Sequence, residues 1–207
     1  VTANRPNLFN LLNENKSEEV ITQMRSMFKL ITVLSVVFIL FAGDAGRILS
    51  LKPEFEHALH LLPVLVLAYV FSDMAEVYNF FLHYSKKVKL FYVSFITTAI
   101  INFTLNYYLI PIYGYEVAAY TTLFSFMVLF ATTYLVCKFY TQLSVPRWTV
   151  FLESIILIAA MALISFVLPE FIQQLYLLIA TKIILFLILV VYVFYDKIIQ
   201  VKSLLKP

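Results

Sequence analysis

Apolar residues fall in six long runs, each ended by a cluster of charge, proline or glycine. The first covers roughly Met27 to Ala42 and stops at Gly43, Asp44, Ala45, Gly46 and Arg47, where two glycines and two charges mark an exit from lipid. The second runs roughly from Ala58 to Leu82 and is ended by Lys86, Lys87 and Lys89; the third runs roughly from Leu90 to Ile112. Pro111, Ile112, Tyr113 and Gly114 then lead at once into a fourth, roughly Val117 to Val136, so these two helices are expected to form a tight hairpin. A polar break with Ser144, Pro146 and Arg147 precedes a fifth run, roughly Trp148 to Leu168, and Pro169 with Glu170 makes another tight turn before a sixth, roughly Phe171 to Tyr195. About 20 apolar residues cross a hydrocarbon core of roughly 30 Å as a helix, whereas barrel strands alternate in polarity over about ten positions. The pattern predicts an all-α integral membrane protein with six transmembrane helices. Its expected organisation is a cytoplasmic amphipathic segment over residues 1–26, four spans over 27–138, and two further spans with a cytoplasmic tail over 139–207.

Composition agrees and closes off other classes. Of 207 residues 62% are hydrophobic and 13% charged, against about 45–50% and about 25% in soluble domains, too little polar surface to cover a globule. Cys137 is the single cysteine, which excludes an intrachain disulfide and a multi-cysteine metal site. No metal-ligand spacing, phosphate-binding glycine loop or nucleophile elbow occurs, so no catalytic residue, metal or cofactor is expected, and nothing points to nucleic acid.

The net charge of +3 is unevenly placed. Arg5, Lys16, Arg25 and Lys29 precede the first span; Lys86, Lys87 and Lys89 follow the second; Lys138 and Arg147 follow the fourth; Lys197, Lys202 and Lys206 follow the sixth. The opposite loops hold Arg47 and Lys52. The positive-inside rule then puts both ends in the cytoplasm. The segment from Val1 to Lys29 has no signal-peptide order, and with Val1 in first place the chain is expected to be the later part of a longer protein. Within it Ser17 can cap a helix with Glu18 and Glu19 in its first turn, followed by Val20, Ile21, Met24, Met27 and Phe28 at spacings of three and four. This is either a surface helix feeding into the first span or an earlier start of that span.

Ionisable groups inside spans need a reason to survive there. Asp73 and Glu76, with Tyr69, Ser72, Asn79 and His83, form one polar stripe on the second span. That stripe reads either as a substrate path or proton site, or as a static interhelical ion pair. Lys182, read as close to mid-depth in the sixth span, has no acidic neighbour on its own helix, so its partner comes from another helix or from an anionic ligand. Asn102 and Asn106, with Ser94 and Thr98, recur every four residues in the third span; Thr121, Thr122, Ser125, Thr132 and Thr133 lie in the fourth. Such small polar groups bond across helices, with sugar contact as the sharper alternative. His57, His60 and His83 all lie near span ends, where solvated positions suit them.

The stretch Ile101-Asn102-Phe103-Thr104-Leu105-Asn106-Tyr107-Tyr108-Leu109-Ile110-Pro111-Ile112-Tyr113-Gly114, followed by Ala118-Ala119-Tyr120-Thr121-Thr122, resembles a pattern of the polysaccharide flippases, which include O-antigen and capsule-unit flippases, in the multidrug, oligosaccharidyl-lipid and polysaccharide exporter superfamily. Pro6-Asn7-Leu8-Phe9, Phe55-Glu56-His57-Ala58 and Leu62-Pro63-Val64-Leu65 are similar to flanking segments of the same family. Val117 departs from it, standing where glycine usually precedes the alanine pair.

The resemblance implies the later helices, nine to fourteen, of a two-lobe transporter in the cell inner membrane. Its partners would be a lipid-linked oligosaccharide, membrane lipids, the missing N-terminal lobe of the same chain, and a glycan polymerase or other polysaccharide-assembly proteins. The family's cationic cavity residues lie largely in that missing part and are not carried over. The substrate-path or coupling residues inferred from this chain are Tyr69, Asp73, Glu76, Asn79, Asn102, Asn106 and Lys182. Three rival expectations are a multidrug exporter of the same fold, a membrane glycosyltransferase or polymerase using Asp44, Glu54 or Glu56 on an outer loop, and a purely structural membrane subunit.

Overall fold

With no water in the bilayer core to satisfy backbone amides and carbonyls, an apolar chain crosses it by continuing its helices as far as it can. The computed structural model describes residues 5–48, 59–172 and 174–204, with side chains left aside at 47, 48, 175 and 196–204. It contains seven α-helices in that range and no strand among the described residues: α1 (Arg5–Asn13), α2 (Ser17–Ile48), α3 (Leu62–Tyr84), α4 (Val88–Tyr113), α5 (Val117–Tyr140), α6 (Leu152–Phe171, after a 3-10 turn at Trp148–Phe151) and α7 (Leu175–Leu204). Six of them, α2 to α7, are long and apolar enough to cross a membrane, so the chain is a multi-pass membrane protein.

Three boundaries differ from the sequence expectation, for one physical reason. Gly43 to Gly46 does not end the first span: α2 runs through it to Ile48. Residues 17–26 belong to the same helix, which is the earlier-start reading of that segment. At 32 residues α2 is about 48 Å long and overhangs the hydrocarbon core. Likewise α4 continues past Pro111 to Tyr113 and α6 past Pro169 to Phe171. A continued helix keeps backbone groups bonded even where proline removes one donor.

Two helices close through a left-handed residue that is not glycine. Asn15 (φ 59°) follows α1 and Lys86 (φ 58°) follows α3, both in the left-handed region. In each case the next amide reaches back five residues, Lys16 N–H to Leu11 C=O at 2.9 Å and Lys87 N–H to Leu82 C=O at 2.8 Å. These are Schellman closures, usually served by glycine because a Cβ costs about 1 kcal/mol there. Lys86→Gly is therefore expected to stabilise the fold by about 1 kcal/mol in a reversible denaturant titration in micelles. An unchanged midpoint would mean that the turn carries no such strain.

Helix α3 lies at the centre. It packs on α5 most extensively and also on α2, α4 and α6, while α5 in turn carries α4. Tyr78, Phe80, Phe81 and Leu82 are fully buried, and Tyr78 meets Phe130, Tyr134 and Phe151 edge-on or tilted at 5.1–6.2 Å between ring centroids. Its hydroxyl donates to Pro146 C=O at 3.1 Å, tying the α5–α6 connection to α3. Helix α1 covers the last turns of α3 through Phe9 on Phe80 and Tyr84, and Tyr84 Oη donates to Asn13 Oδ1 at 2.8 Å. On the other side α2 carries both α6 and α7.

Candidate functional site

Asp73 stands at the midpoint of α3, about 16 Å of helix from either end. The polar stripe of that helix divides into two halves. Towards the Lys86 end it is occupied: Arg5 Nη2 of α1 meets Glu76 Oε2 at 3.4 Å, and Asn79 Nδ2 donates to both carboxylate oxygens at 3.2 and 3.4 Å. Arg5 Nε and Asn79 Oδ1 are buried there without hydrogen-bond partners among the described residues. For Glu76 the static ion-pair arrangement is thus the one present, and it comes from α1, a helix that the hydrophobic runs did not reveal.

Towards the middle the stripe is open. Asp73 is exposed and makes no ion pair or hydrogen bond among the described residues; Tyr69, one turn away, is 62% exposed. Both line a groove of about 270 Å³ between α2 and α3, whose far wall is Ile31, Leu34, Ser35 and Phe38. An ionised carboxylate facing hydrocarbon at that depth costs about 2.5 kcal/mol or more, so this face needs water or polar groups against it.

Lys182 has its partner in Asp44. Nζ and Oδ2 are 2.6 Å apart, and each side chain is 6% exposed. The pair corrects two expectations. Asp44 is a buried helical residue and does not lie on an outer loop. Lys182 lies only about 10 Å from the start of α7, because that helix begins at Leu175 and Phe171 belongs to α6. The pair borders a cavity of about 110 Å³ that also touches His60, Ser165 and Pro63. Ser165 Oγ donates to Ile39 C=O at 3.1 Å, so α6 is joined to α2 beside the same cavity.

Asn102 and Asn106 are joined to each other and to α5. Asn106 Nδ2 donates to Asn102 Oδ1 at 3.1 Å, and Thr121 Oγ1 donates to Asn106 Oδ1 at 2.6 Å. This is the cross-helix bonding that small polar groups favour in membranes, and it fixes the register of the α4–α5 hairpin. Thr132 and Ser125 instead donate to carbonyls of their own helix, while Thr98 and Thr133 are buried with hydroxyls lacking a partner among the described residues. Val117 fits without closing the hairpin; it is half-buried at the first turn of α5, with Gly114 (φ 82°) supplying the bend.

Of the expected site residues, the structure leaves Tyr69 and Asp73 open on one face, bonds Glu76 and Asn79 together beside them, and separates Asn102, Asn106 and Lys182 into two other places. His83 is half-buried near the end of α3 and His60 is exposed before its start. His57, Glu54, Glu56, Lys52 and the Phe55–Ala58 segment lie outside the described residues. Among the described residues no group of three histidines, cysteines or carboxylates is placed to hold a metal. No protein-family model, curated protein or solved structure matches the chain.

Proposed function

We propose that the chain supplies C-terminal helices of a transporter that flips an undecaprenyl-pyrophosphate-linked glycan across the cell inner membrane, by alternating access between two helical lobes. The observation that carries this reading is the open half of the α3 stripe. A carboxylate with no ion pair or hydrogen bond among the described residues, at the midpoint of its helix, and a tyrosine one turn away line a groove between two spans, and within a bilayer that face is stable only against a wet groove or a second polar lobe.

A lipid-linked glycan asks for such a surface, since its sugars and pyrophosphate need water and hydrogen-bond partners while its polyprenyl tail stays in the bilayer. Asp73 would then bind the coupling proton or sodium ion, and Glu76, held by Arg5 and Asn79, would flank it. The distribution of basic residues supports an orientation with both ends of this segment in the cytoplasm. The polymerase alternative loses one of its three proposed carboxylates, because Asp44 is buried against Lys182.

The test is transport of labelled lipid-linked oligosaccharide by the intact protein in vesicles, with Asp73→Ala and Glu76→Ala. Asp73→Ala is expected to slow flipping at least about tenfold, the loss of about 1.4 kcal/mol of coupling or substrate interaction. Full-rate transport by both variants would remove the role assigned to this face, and elongation of the labelled glycan would favour a polymerase.

A further inference from the structure

Residues 141–147 link α5 to the 3-10 turn without helix or strand, and the link is fastened at both ends. Thr141 Oγ1 donates to Cys137 C=O at 2.7 Å, and Lys87 Nζ of the α3–α4 turn donates to Tyr140 C=O. At the other end Tyr78 Oη holds Pro146 C=O. Against this link opens a groove of about 520 Å³. Tyr134 and Lys138, one turn apart, line it from α5, and Ser144, Arg147, Trp148 and Thr149 line it from the returning chain. Lys138 and Arg147 are both exposed, and neither makes an ion pair or side-chain hydrogen bond among the described residues. No carboxylate among those residues lines the groove, and none occurs in the sequence between Glu116, just before the start of α5, and Glu153. Tyr134 lies about 9 Å inside the end of α5, so the groove reaches from the tip of that helix almost two turns down it.

We propose that this groove binds the headgroup of an anionic phospholipid. Lys138 and Arg147 attract its phosphate, and Ser144 and Thr149 offer hydroxyl donors. Trp148, 44% exposed, has the amphipathic ring that settles at headgroup level. Leu143, Val145 and the Tyr134 ring give apolar surface for the glycerol end of the acyl chains. A free phosphate would use the two cations and leave that surface bare, so the observations favour a lipid. The assignment does not depend on a transport activity.

Trp148 is the single tryptophan of the chain, so its fluorescence reports on the groove alone. The experiment reconstitutes the full chain in vesicles of phosphatidylcholine brominated on its acyl chains, which quench Trp148, and replaces part of that lipid with unbrominated phosphatidylglycerol. Recovery of fluorescence ahead of the mole fraction measures the preference at the groove. One basic side chain near a headgroup is worth about fivefold in binding, so phosphatidylglycerol should be preferred by about tenfold or more. Lys138→Gln with Arg147→Gln should reduce that preference to about twofold or less. The charge-conserving Lys138→Arg with Arg147→Lys should keep it, as should Lys86→Gln with Lys89→Gln, which neutralises two exposed lysines at the same end of the bundle. Asp196→Asn should leave it unchanged, and excess inorganic phosphate should not reverse the recovery. Absence of a preference in the native chain, its loss in the charge-conserving or the Lys86/Lys89 variant, a rise with Asp196→Asn, which would put an opposing carboxylate at the groove, or reversal by phosphate would each overturn the site.

Discussion

Asp44→Ala is expected to destabilise the fold by about 3–5 kcal/mol, because it leaves the Lys182 ammonium buried without its counter-charge. The ammonium could escape by reaching the interface, but Nζ lies under α2 and beside the cavity that also touches Ser165 and His60. Following it outward would pull α7 from α2. Lys182→Ala should cost a similar amount, since Asp44 is then the stranded charge. Removing both charges is a different matter: Asp44→Leu with Lys182→Met restores apolar volume and desolvates nothing, and is expected to lie within about 1 kcal/mol of the native chain or above it. Denaturant titrations of the native chain, Asp44→Leu, Lys182→Met and the two combined, in one detergent, make the cycle. Additive losses in the double variant would mean that the two charges act independently and that the 2.6 Å contact contributes nothing to holding the last span in place.

That pair also marks the boundary between what was legible in the sequence and what was not. The six spans could be read because hydrophobic length is a local property and lipid imposes it on each segment separately. The exit at Gly43–Gly46 was misread because glycine and aspartate end helices in water, where the freed backbone bonds to solvent. In a membrane the helix continues, and Asp44 is tolerated because a lysine 138 positions away neutralises it. The clue was available in two lone charges of opposite sign, one in the last turns of α2 and the other in the first turns of α7 once that helix is started at Leu175, and so on the same side of the bundle. Counting the turn residues as helix moved Lys182 apparently to mid-depth and hid the match.

The α3 stripe was legible as a face and only half legible in its use. Periodicity at three and four put Tyr69, Asp73, Glu76 and Asn79 together, and they are together. What the period could not show was α1, which lies across one end of that face and supplies Arg5 to Glu76. Helix α1 has nine residues and no strong apolar run, yet Leu8 and Leu12 are one turn apart and both buried, a pattern too short to stand out from loop. The hairpin ladder from Asn102 through Asn106 to Thr121 was easier, because a connection of three residues leaves the two helices no choice of neighbour.

Tyr78→Ala is expected to give the largest loss among core substitutions, about 3–5 kcal/mol, and its division between causes can be measured. In a membrane protein the usual transfer contribution is small, because lipid is as apolar as the interior, and what remains is the cavity and the polar group. Removing the ring opens up to about 100 Å³ between Phe130, Tyr134 and Phe151, which at about 24 cal/mol per Å³ costs about 2.4 kcal/mol. Losing the hydroxyl also strands the Pro146 carbonyl, which costs a further 1–3 kcal/mol or so. Tyr78→Phe isolates the second cost, since it keeps the ring and deletes only the donor, and should lose about 1–2 kcal/mol. A denaturant titration of both variants separates them; equal losses would mean that the hydrogen bond to Pro146 carries the whole effect, and a neutral Tyr78→Phe that packing carries it. The position matters because Tyr78 lies five residues from Asp73 on the same helix, with its side chain in the protein core while Asp73 faces the groove. If the aromatic cluster holds α3 rigid against α5, Tyr78→Phe should leave the Asp73 face in place, whereas Tyr78→Ala should increase the labelling of a cysteine introduced at Tyr69 by water-soluble thiol reagents, as α3 loosens from its neighbours.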